Sequence, residues 1–169
     1  FLVGTTNPCS GGLAVIENLA RRFGKRQYVL HIPQDQSGGN VRFLAEQLRD
    51  LSAFVAAHTG APLDPDALRR AVSNTNEARA LMAEAYEFAK AVPSPVATKD
   101  LANYGIVMAL FLGTDAAVDI ARAFRDEFAK RVADTKSGVP NEKVRLLWIQ
   151  NRIQFKNGID DILAREYGA

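Results

Sequence analysis

The most reactive side chain in this sequence belongs to its single cysteine, Cys9. This residue stands in the run Thr5-Thr6-Asn7-Pro8-Cys9-Ser10-Gly11-Gly12, between a stretch that predicts a strand and one that predicts a helix. Because the positive end of a helix dipole stabilises a thiolate, Cys9 could be a nucleophile, a redox thiol or a metal ligand. A lone cysteine is also often a small buried hydrophobe, and the local residues leave that structural role equally open.

Polar residues near predicted strand ends are the candidates for ligand binding. Ser10, Gly11 and Gly12 could hold a phosphate through their backbone N–H groups. The sequence contains neither G-x-G-x-x-G nor G-x-x-x-x-G-K-[ST], so a tight turn is favoured there over a nucleotide site. Gln34 follows the second predicted strand, and Arg152 follows the third, where it could face a phosphate-bearing ligand. The carboxyl ends of parallel strands are the usual place for such contacts.

Acid–base and metal chemistry have few candidate residues. The two histidines, His31 and His58, fit neither H-E-x-x-H nor a Ser/His/Asp arrangement, and structural roles are predicted for both. The sequence therefore designates no catalytic acid or base. One cysteine cannot build a closed zinc or iron–sulfur site alone, so a metal at Cys9 would need ligands from elsewhere.

The elements that must position these residues follow an α/β pattern. Apolar runs at 1–5, 27–32 and 144–150 predict strands of a parallel sheet, the first of them buried on both faces. The helical pattern at 13–23 predicts that the first two strands are joined by a right-handed crossover. From about 40 to 136, the apolar spacing predicts helices only. The predicted fold class is α/β, with short parallel sheet pieces and a large all-helical insert.

Glycine and proline mark the predicted helix ends. Gly24, Gly60 and Gly113 are each placed to end a helix. Asp64 followed by Pro65 is typical of a helix start, and Thr114 or Asp115 is predicted to cap a later helix. A last helix is predicted from about 157 to 167.

The composition excludes several classes of protein. The chain has 169 residues, of which 47% are apolar, which suits one globular domain. Its net charge of +2 includes no Lys/Arg run, which argues against nucleic-acid binding. A single cysteine permits no internal disulfide and fits a reducing compartment, so a cytoplasmic location is predicted. No apolar stretch approaches the roughly 20 residues that a membrane span needs.

Both ends of the sequence fall inside predicted elements. Phe1 opens directly in a strand, and residues 166–169 close a helix where a next strand would be expected. This predicts a fragment of a larger subunit, although a trimmed complete domain is the alternative. The predicted domains are the end of a flavodoxin/Rossmann-like α/β lobe at 1–39, a helical connector at 40–138, and the start of a second α/β lobe at 139–169.

Five motifs stand in a fixed order along essentially the whole chain. They are TTNPC with its glycines, HIPQDQSGGNVRFLAEQLRDL at 31–51, HTG at 58–60, ALRRAVSNTNEARALMAEAYEF at 67–88, and KVRLLWIQ at 143–150 with the helix that ends in EYGA. In order and spacing, these motifs resemble the subunits of 2-hydroxyacyl-CoA dehydratases and benzoyl-CoA reductases, including the D-component of 2-hydroxyglutaryl-CoA dehydratase. Their common order makes the match more specific than any one motif.

The resemblance implies a fold, a cofactor and partners. It implies two α/β lobes with helical segments between them, and a [4Fe–4S] cluster held by cysteines from separated parts of the chain. Cys9 matches the family's cluster cysteine that follows a strand, which implies that it is an iron ligand. The implied substrate is an acyl-CoA thioester, and the implied partners are a related second subunit and an ATP-dependent activator that supplies one electron. The reaction is then either loss of a hydroxyl group or reduction of an aromatic ring.

The sequence departs from the family pattern because it has no second cysteine. The other cluster cysteines would lie before Phe1 and after Ala169. This piece alone is therefore expected to bind no assembled cluster and to be inactive, whereas its parent is expected to be a lyase or an oxidoreductase. Two alternatives remain: a non-catalytic assembly subunit of such a complex, and an unrelated flavodoxin-like module that binds a small phosphorylated ligand.

Overall fold

A computed structural model describes residues 1–7, 10–139, 141–147, 149 and 158–169. The elements run in the order β1 (Leu2–Thr5), α1 (Ser10–Phe23), β2 (Gln27–Leu30), α2 (Gly38–Thr59), α3 (Pro65–Phe88), α4 (Thr98–Phe111), α5 (Asp115–Ala133) and α6 (Ile159–Ile162), which continues as a π-helical turn over Leu163–Tyr167. The predicted α/β class, with a parallel sheet near the amino terminus and a long helical region, is confirmed. The chain forms two compact units, Phe1–Pro65 and Asp66–Ala169.

The first unit is a βαβ motif whose sheet has a helix on each face. β1 and β2 pair in parallel, with Val3 opposite Tyr28, as the strand–helix–strand order predicts. Val3 and Tyr28 therefore share one face of the sheet. Since side chains alternate along a strand, Gly4 lies on the other face. A Cβ added at Gly4 would lie 3.3 Å from the Ile16 side chain of α1. The Tyr28 ring lies 5.6 Å from that of Phe54 on α2.

Burial of the first strand on both faces is a prediction that proves wrong. Gly4 is buried against α1, but Val3 on the other face keeps 40% of its surface exposed. The cause is the size of the sheet, because two strands and one helix on each face leave the outer row uncovered. The first two strands otherwise stand where they are predicted, and β2 stops at Leu30 rather than at residue 32.

The third predicted strand, at 144–150, does not form in the part that the structure describes, residues 144–147 and 149. The backbone N–H of Val144 bonds to the carbonyl of Gly168, not to a strand. Leu147 is 85% exposed and Ile149 is 75% exposed. A strand exists only where a neighbouring strand supplies backbone partners, and the described residues supply none at this place.

The second unit is built from helices around an aromatic core. Tyr104 on α4 and Phe128 on α5 are 0% and 2% exposed. The Tyr104 ring stacks on that of Phe124, with centroids 4.2 Å apart. Four alanines that are fully buried let the helices approach closely: Ala78, Ala85, Ala117 and Ala121. The prediction that residues 40 to 136 contain helices only is confirmed, and α2 of that range belongs to the first unit.

The predicted helix ends agree with the backbone geometry. Gly24, Gly60 and Gly113 have φ angles of 59°, 73° and 92°, a region that costs glycine little. α3 begins at Pro65, and the Thr114 hydroxyl accepts a 3.3 Å hydrogen bond from Ala117 N at the start of α5. The domain limits at 39/40 and 138/139 stay predictions.

Replacing Phe128 by alanine should remove a large part of the core of the second unit. For a fully buried phenylalanine we expect a loss of about 3–5 kcal/mol in the free energy of unfolding, from lost burial and the cavity left behind. Leu110→Ala is the control, because Leu110 lies in the same unit and is 76% exposed. Urea unfolding followed by circular dichroism measures both variants, and equal losses would contradict this description of the core.

The Tyr104 hydroxyl is buried and has no hydrogen-bond partner among the described residues. Burial, with a smaller effect of Tyr86, raises the pKa of Tyr104 from 10.0 to about 12. Because the folded state then favours the neutral phenol, this contribution to stability is complete below pH 10.0 and is lost as the pH rises through about 12.

Tyr104→Phe should therefore be neutral or stabilising near neutral pH, since it removes an unpaired polar group. It should also unfold with less alkaline destabilisation than the wild type. Urea unfolding at about pH 8 and about pH 11 tests this, because the advantage of the variant must grow at the higher pH. An advantage that is the same at both pH values would show that Tyr104 does not titrate as described.

Candidate functional site

The loops that follow β1 and β2 are joined by hydrogen bonds at the carboxyl edge of the sheet. The Thr6 backbone N–H donates to Leu30 O at 3.1 Å. In return, the Ile32 backbone N–H donates to the Thr6 hydroxyl at 3.0 Å. The hydroxyl of Thr5 donates to the carbonyl of Asn7 and so tightens the first loop. In open parallel sheets this edge is where ligands bind, so the two loops form the candidate functional site.

Gln47 of α2 is the residue of this edge that the sequence interpretation misses. Its side-chain Nε2 donates to His31 O at 2.9 Å, and its Oε1 accepts from His31 N at 2.8 Å. The side chain is 8% exposed, and the Tyr28 hydroxyl donates to the Gln47 carbonyl at 2.8 Å. A glutamine three residues after Leu44 and four before Leu51, inside an apolar stripe, is the signal that could have identified it.

The loop between β2 and α2 is ordered by Asp35. Its carboxylate Oδ1 accepts from Ser37 N at 2.8 Å and from Asn40 Nδ2 at 2.7 Å. These hydrogen bonds, the backbone one above all, hold the pKa of Asp35 below its usual value. Gln34 lies beside it in the same loop, with its side chain exposed. The loop therefore has a fixed shape and presents Gln34 at the carboxyl edge.

The other predicted ligand-binding residues fall into two groups. Ser10, Gly11 and Gly12 form the first turn of α1, so the helix begins three residues earlier than predicted. Gly11 and Gly12 are exposed there. Cys9 and Arg152 lie outside the described residues. The structure thus places the glycines at a helix N-terminus and Gln34 in the neighbouring loop, and their roles stay predictions.

The chain does not by itself fit a complete iron–sulfur site. Within the residues that the structure describes, no three His, Cys, Asp or Glu side chains converge to hold a metal ion. A [4Fe–4S] cluster is held by four cysteine thiolates as a rule, and this sequence contains one cysteine. Any further thiolate ligands of such a cluster must come from outside these 169 residues.

Two of the cavities in the second unit have no predicted site residue among their described lining residues. The larger, of about 460 Å³, lies between α4 and α5 over Phe124 and Phe128, with Arg131 at its side. The smaller, of about 140 Å³, lies beside Glu142 and Arg145. Among the described residues, no helix has the length and apolar character of a membrane span.

Comparison with known protein families shows the family to which this chain belongs. The family model described as 2-hydroxyglutaryl-CoA dehydratase, D-component, matches residues 1–169, the whole chain. The chain belongs to this D-component family. It is accordingly a subunit of the 2-hydroxyacyl-CoA dehydratase type, which confirms the resemblance drawn from the motifs. A search of curated proteins found no match.

An acid titration of the D-component chain should show that the Asp35 carboxylate stabilises the β2–α2 loop. Since the pKa of Asp35 is lowered, the loop should be stabilised at pH values above the usual aspartate pKa and loosened as the pH falls through the lowered one. Asn40→Ala removes one of the hydrogen-bond donors and leaves those of Ser37, so the pKa of Asp35 should rise but stay below its usual value. Carboxyl NMR measures this, with Asn76→Ala on α3 as the control. An unchanged Asp35 midpoint in Asn40→Ala would contradict the Asn40 contact.

Proposed function

We propose that this chain contributes one thiolate, that of Cys9, to the [4Fe–4S] cluster of an enzyme that acts on an acyl-CoA thioester. The observation that carries the proposal is the D-component match over the whole chain, together with the place of Cys9 in the sequence. β1 ends at Thr5 and α1 begins at Ser10, the residue directly after the cysteine. The start of a helix favours the thiolate form, which is the form that binds iron.

In this role the protein binds the cofactor and the acyl-CoA and orients them toward each other. The cofactor supplies one-electron chemistry toward the thioester, which the protein does not supply itself. The N–H groups of Ser10, Gly11 and Gly12 at the start of α1 suit an anionic group of an acyl-CoA. Gln34 offers an amide at the adjoining loop, and Arg152 offers a guanidinium that suits a phosphate.

The remaining thiolates of the cluster come from segments or subunits beyond these residues, because this chain has one cysteine. We therefore propose a fragment of a larger cytoplasmic subunit that is inactive alone. Its partners are a related second subunit and an ATP-dependent activator, as the family implies. The reaction proposed first is dehydration of a 2-hydroxyacyl-CoA, in line with the family description. Reductive chemistry of the benzoyl-CoA reductase type is the neighbouring possibility within the same resemblance.

Cys9→Ser in the complete parent protein tests the ligand role. After anaerobic reconstitution with iron and sulfide, the variant should bind less iron and should give a changed EPR spectrum in the reduced state. Ser73→Ala, an exposed change on α3, should leave both as in the wild type. The 169-residue chain alone, treated in the same way, should hold no stable cluster.

Two results would overturn this proposal. A Cys9→Ser protein with the iron content and EPR spectrum of the wild type would exclude Cys9 as a ligand. It would favour a non-catalytic assembly role for the chain, provided that the partner subunit still binds. Binding of phosphorylated ligands by an iron-free chain, with no cluster in the parent, would instead favour a small-ligand module.

A further inference from the structure

Helix α1 carries a row of apolar side chains that its own unit leaves exposed. Ile16 and Ala20 face the sheet, where Ala20 is only 7% exposed. Beside them, Val15, Leu19 and Phe23 are 58%, 39% and 64% exposed. Residues four apart are neighbours on a helix surface, so these three side chains form one continuous row, the α1 row. Single exposed apolar residues are common, whereas a continuous row indicates an interaction surface.

Basic side chains surround the carboxyl end of the α1 row. Arg21 and Arg22 lie in the last turn of α1, Lys25 follows the helix, and all three are exposed beside Phe23. None of the three has an ion pair within the part of the chain that the structure describes. The helix dipole accounts for basic residues at this end, but it does not account for the apolar row that leads to them. Together they form an apolar strip with a positively charged end.

A second copy of this chain does not complement this surface. In a two-fold dimer through this face, α1 of one copy would lie against α1 of the other. The first turn of α1 contains no acidic residue, and Glu17 is the one carboxylate in its sequence. Self-association would therefore cover the apolar row and leave the three cations without opposite charges.

The width of the α1 row favours a protein helix over a lipid surface. Helices that lie on membranes bury a broad apolar face among the lipids. One apolar face of α1 is already occupied by β1 and β2, and the row that is left is one residue wide. A second helix can pack along such a row, because its own ridges are formed by residues spaced three and four apart.

We propose that the α1 row and the three cations at its end are the docking surface for an amphipathic helix of a partner protein. That helix carries apolar residues along one face and carboxylates at the end that meets Arg21, Arg22 and Lys25. Complementary charges at the rim of an interface orient the partner and speed association. The charged end of α1 lies where β2 begins, at the edge of the sheet opposite to the candidate functional site. The proposal goes beyond the role proposed for Cys9 and needs neither iron nor a thiol.

Photo-cross-linking of the complete parent protein in its purified complex identifies what covers the row. With p-benzoyl-phenylalanine in place of Leu19, irradiation should join α1 to a peptide of another protein, which mass spectrometry identifies. That peptide should have apolar residues at spacings of three and four, and acidic residues at one end. A cross-link to the parent's own sequence or to lipid would overturn the proposal. A peptide without acidic residues, or no cross-link at all, would overturn it as well.

The apolar part of the surface is tested with two matched leucines. Leu19→Gln should weaken association with the cross-linked partner by at least about tenfold, as expected for a residue at the centre of an interface. Leu48→Gln on α2 is the control, because Leu48 is 48% exposed in the same unit. Sedimentation velocity measures both, with folding checked by circular dichroism. Equal losses in the two variants would contradict the docking surface on α1.

The charged part is tested by reversing two charges at once. The double variant Arg22→Glu, Lys25→Glu should weaken association and should remove most of its dependence on salt, because screening acts on the charge pairs. Arg42→Glu with Arg49→Glu makes the same change at two exposed positions on α2 and should leave both quantities as in the wild type. Association that is insensitive to salt in the wild type would overturn the proposed acidic partner.

The docking surface and the ligand role of Cys9 are decided by different measurements. The iron content of Cys9→Ser tests the ligand role, and the association of Leu19→Gln tests the docking surface. A Leu19→Gln protein that keeps its iron and loses the partner supports the docking surface. A Leu19→Gln protein that keeps the partner overturns it, whatever its iron content.

Discussion

The paired hydrogen bonds between the Gln47 side chain and the backbone of His31 hold the candidate site together. A parallel pair of short strands has little stability of its own, and its backbone groups need partners where the ladder stops. The amide of Gln47 supplies both partners from α2, at the place where β2 ends. This attachment keeps α2 on one face of the sheet while α1 covers the other. The loops at the carboxyl edge depend on that arrangement.

The second unit shows how a segment can be fixed without regular structure. Arg145 donates to the carbonyls of Ala89, Lys90 and Ala91, just after the end of α3, and also binds Glu142. Glu142 in turn accepts from the backbone N–H of Ser94. These contacts satisfy helix-end carbonyls that would otherwise lack partners and tie residues 142–145 to the end of α3. Leu146 and Leu147, which follow, are therefore held at their amino-terminal side, although their side chains stay exposed.

Membership of the D-component family relates the carboxyl edge of the sheet to a proposed chemical role. The edge of the sheet combines a fixed pair of loops, a helix start and a neighbouring cysteine in the sequence. In the proposed role, the single thiolate of Cys9 is too little for a cluster, so further thiolates come from outside these 169 residues. That proposed role requires the thiolate to be held in a constant position. The hydrogen bonds from Gln47 to His31 and from Ile32 to Thr6 join α2 to the loops after both strands.

Local patterns in the sequence were sufficient for the helices and for the first two strands. Helices are indicated by apolar periodicity, and their ends by the glycines at 24, 60 and 113, so both can be predicted from residues that are close in sequence. The D-component motifs are also short local stretches, and they could be recognised in the sequence for the same reason. The absence of a strand in the described residues of 144–150 and the exposure of Val3 could not be predicted, because both depend on which elements lie alongside. Gln47 belongs to the same class, since nothing in its local sequence names His31 as its partner. Only the tertiary structure decides such pairings, because hydrogen bonds and burial join groups that are distant along the chain.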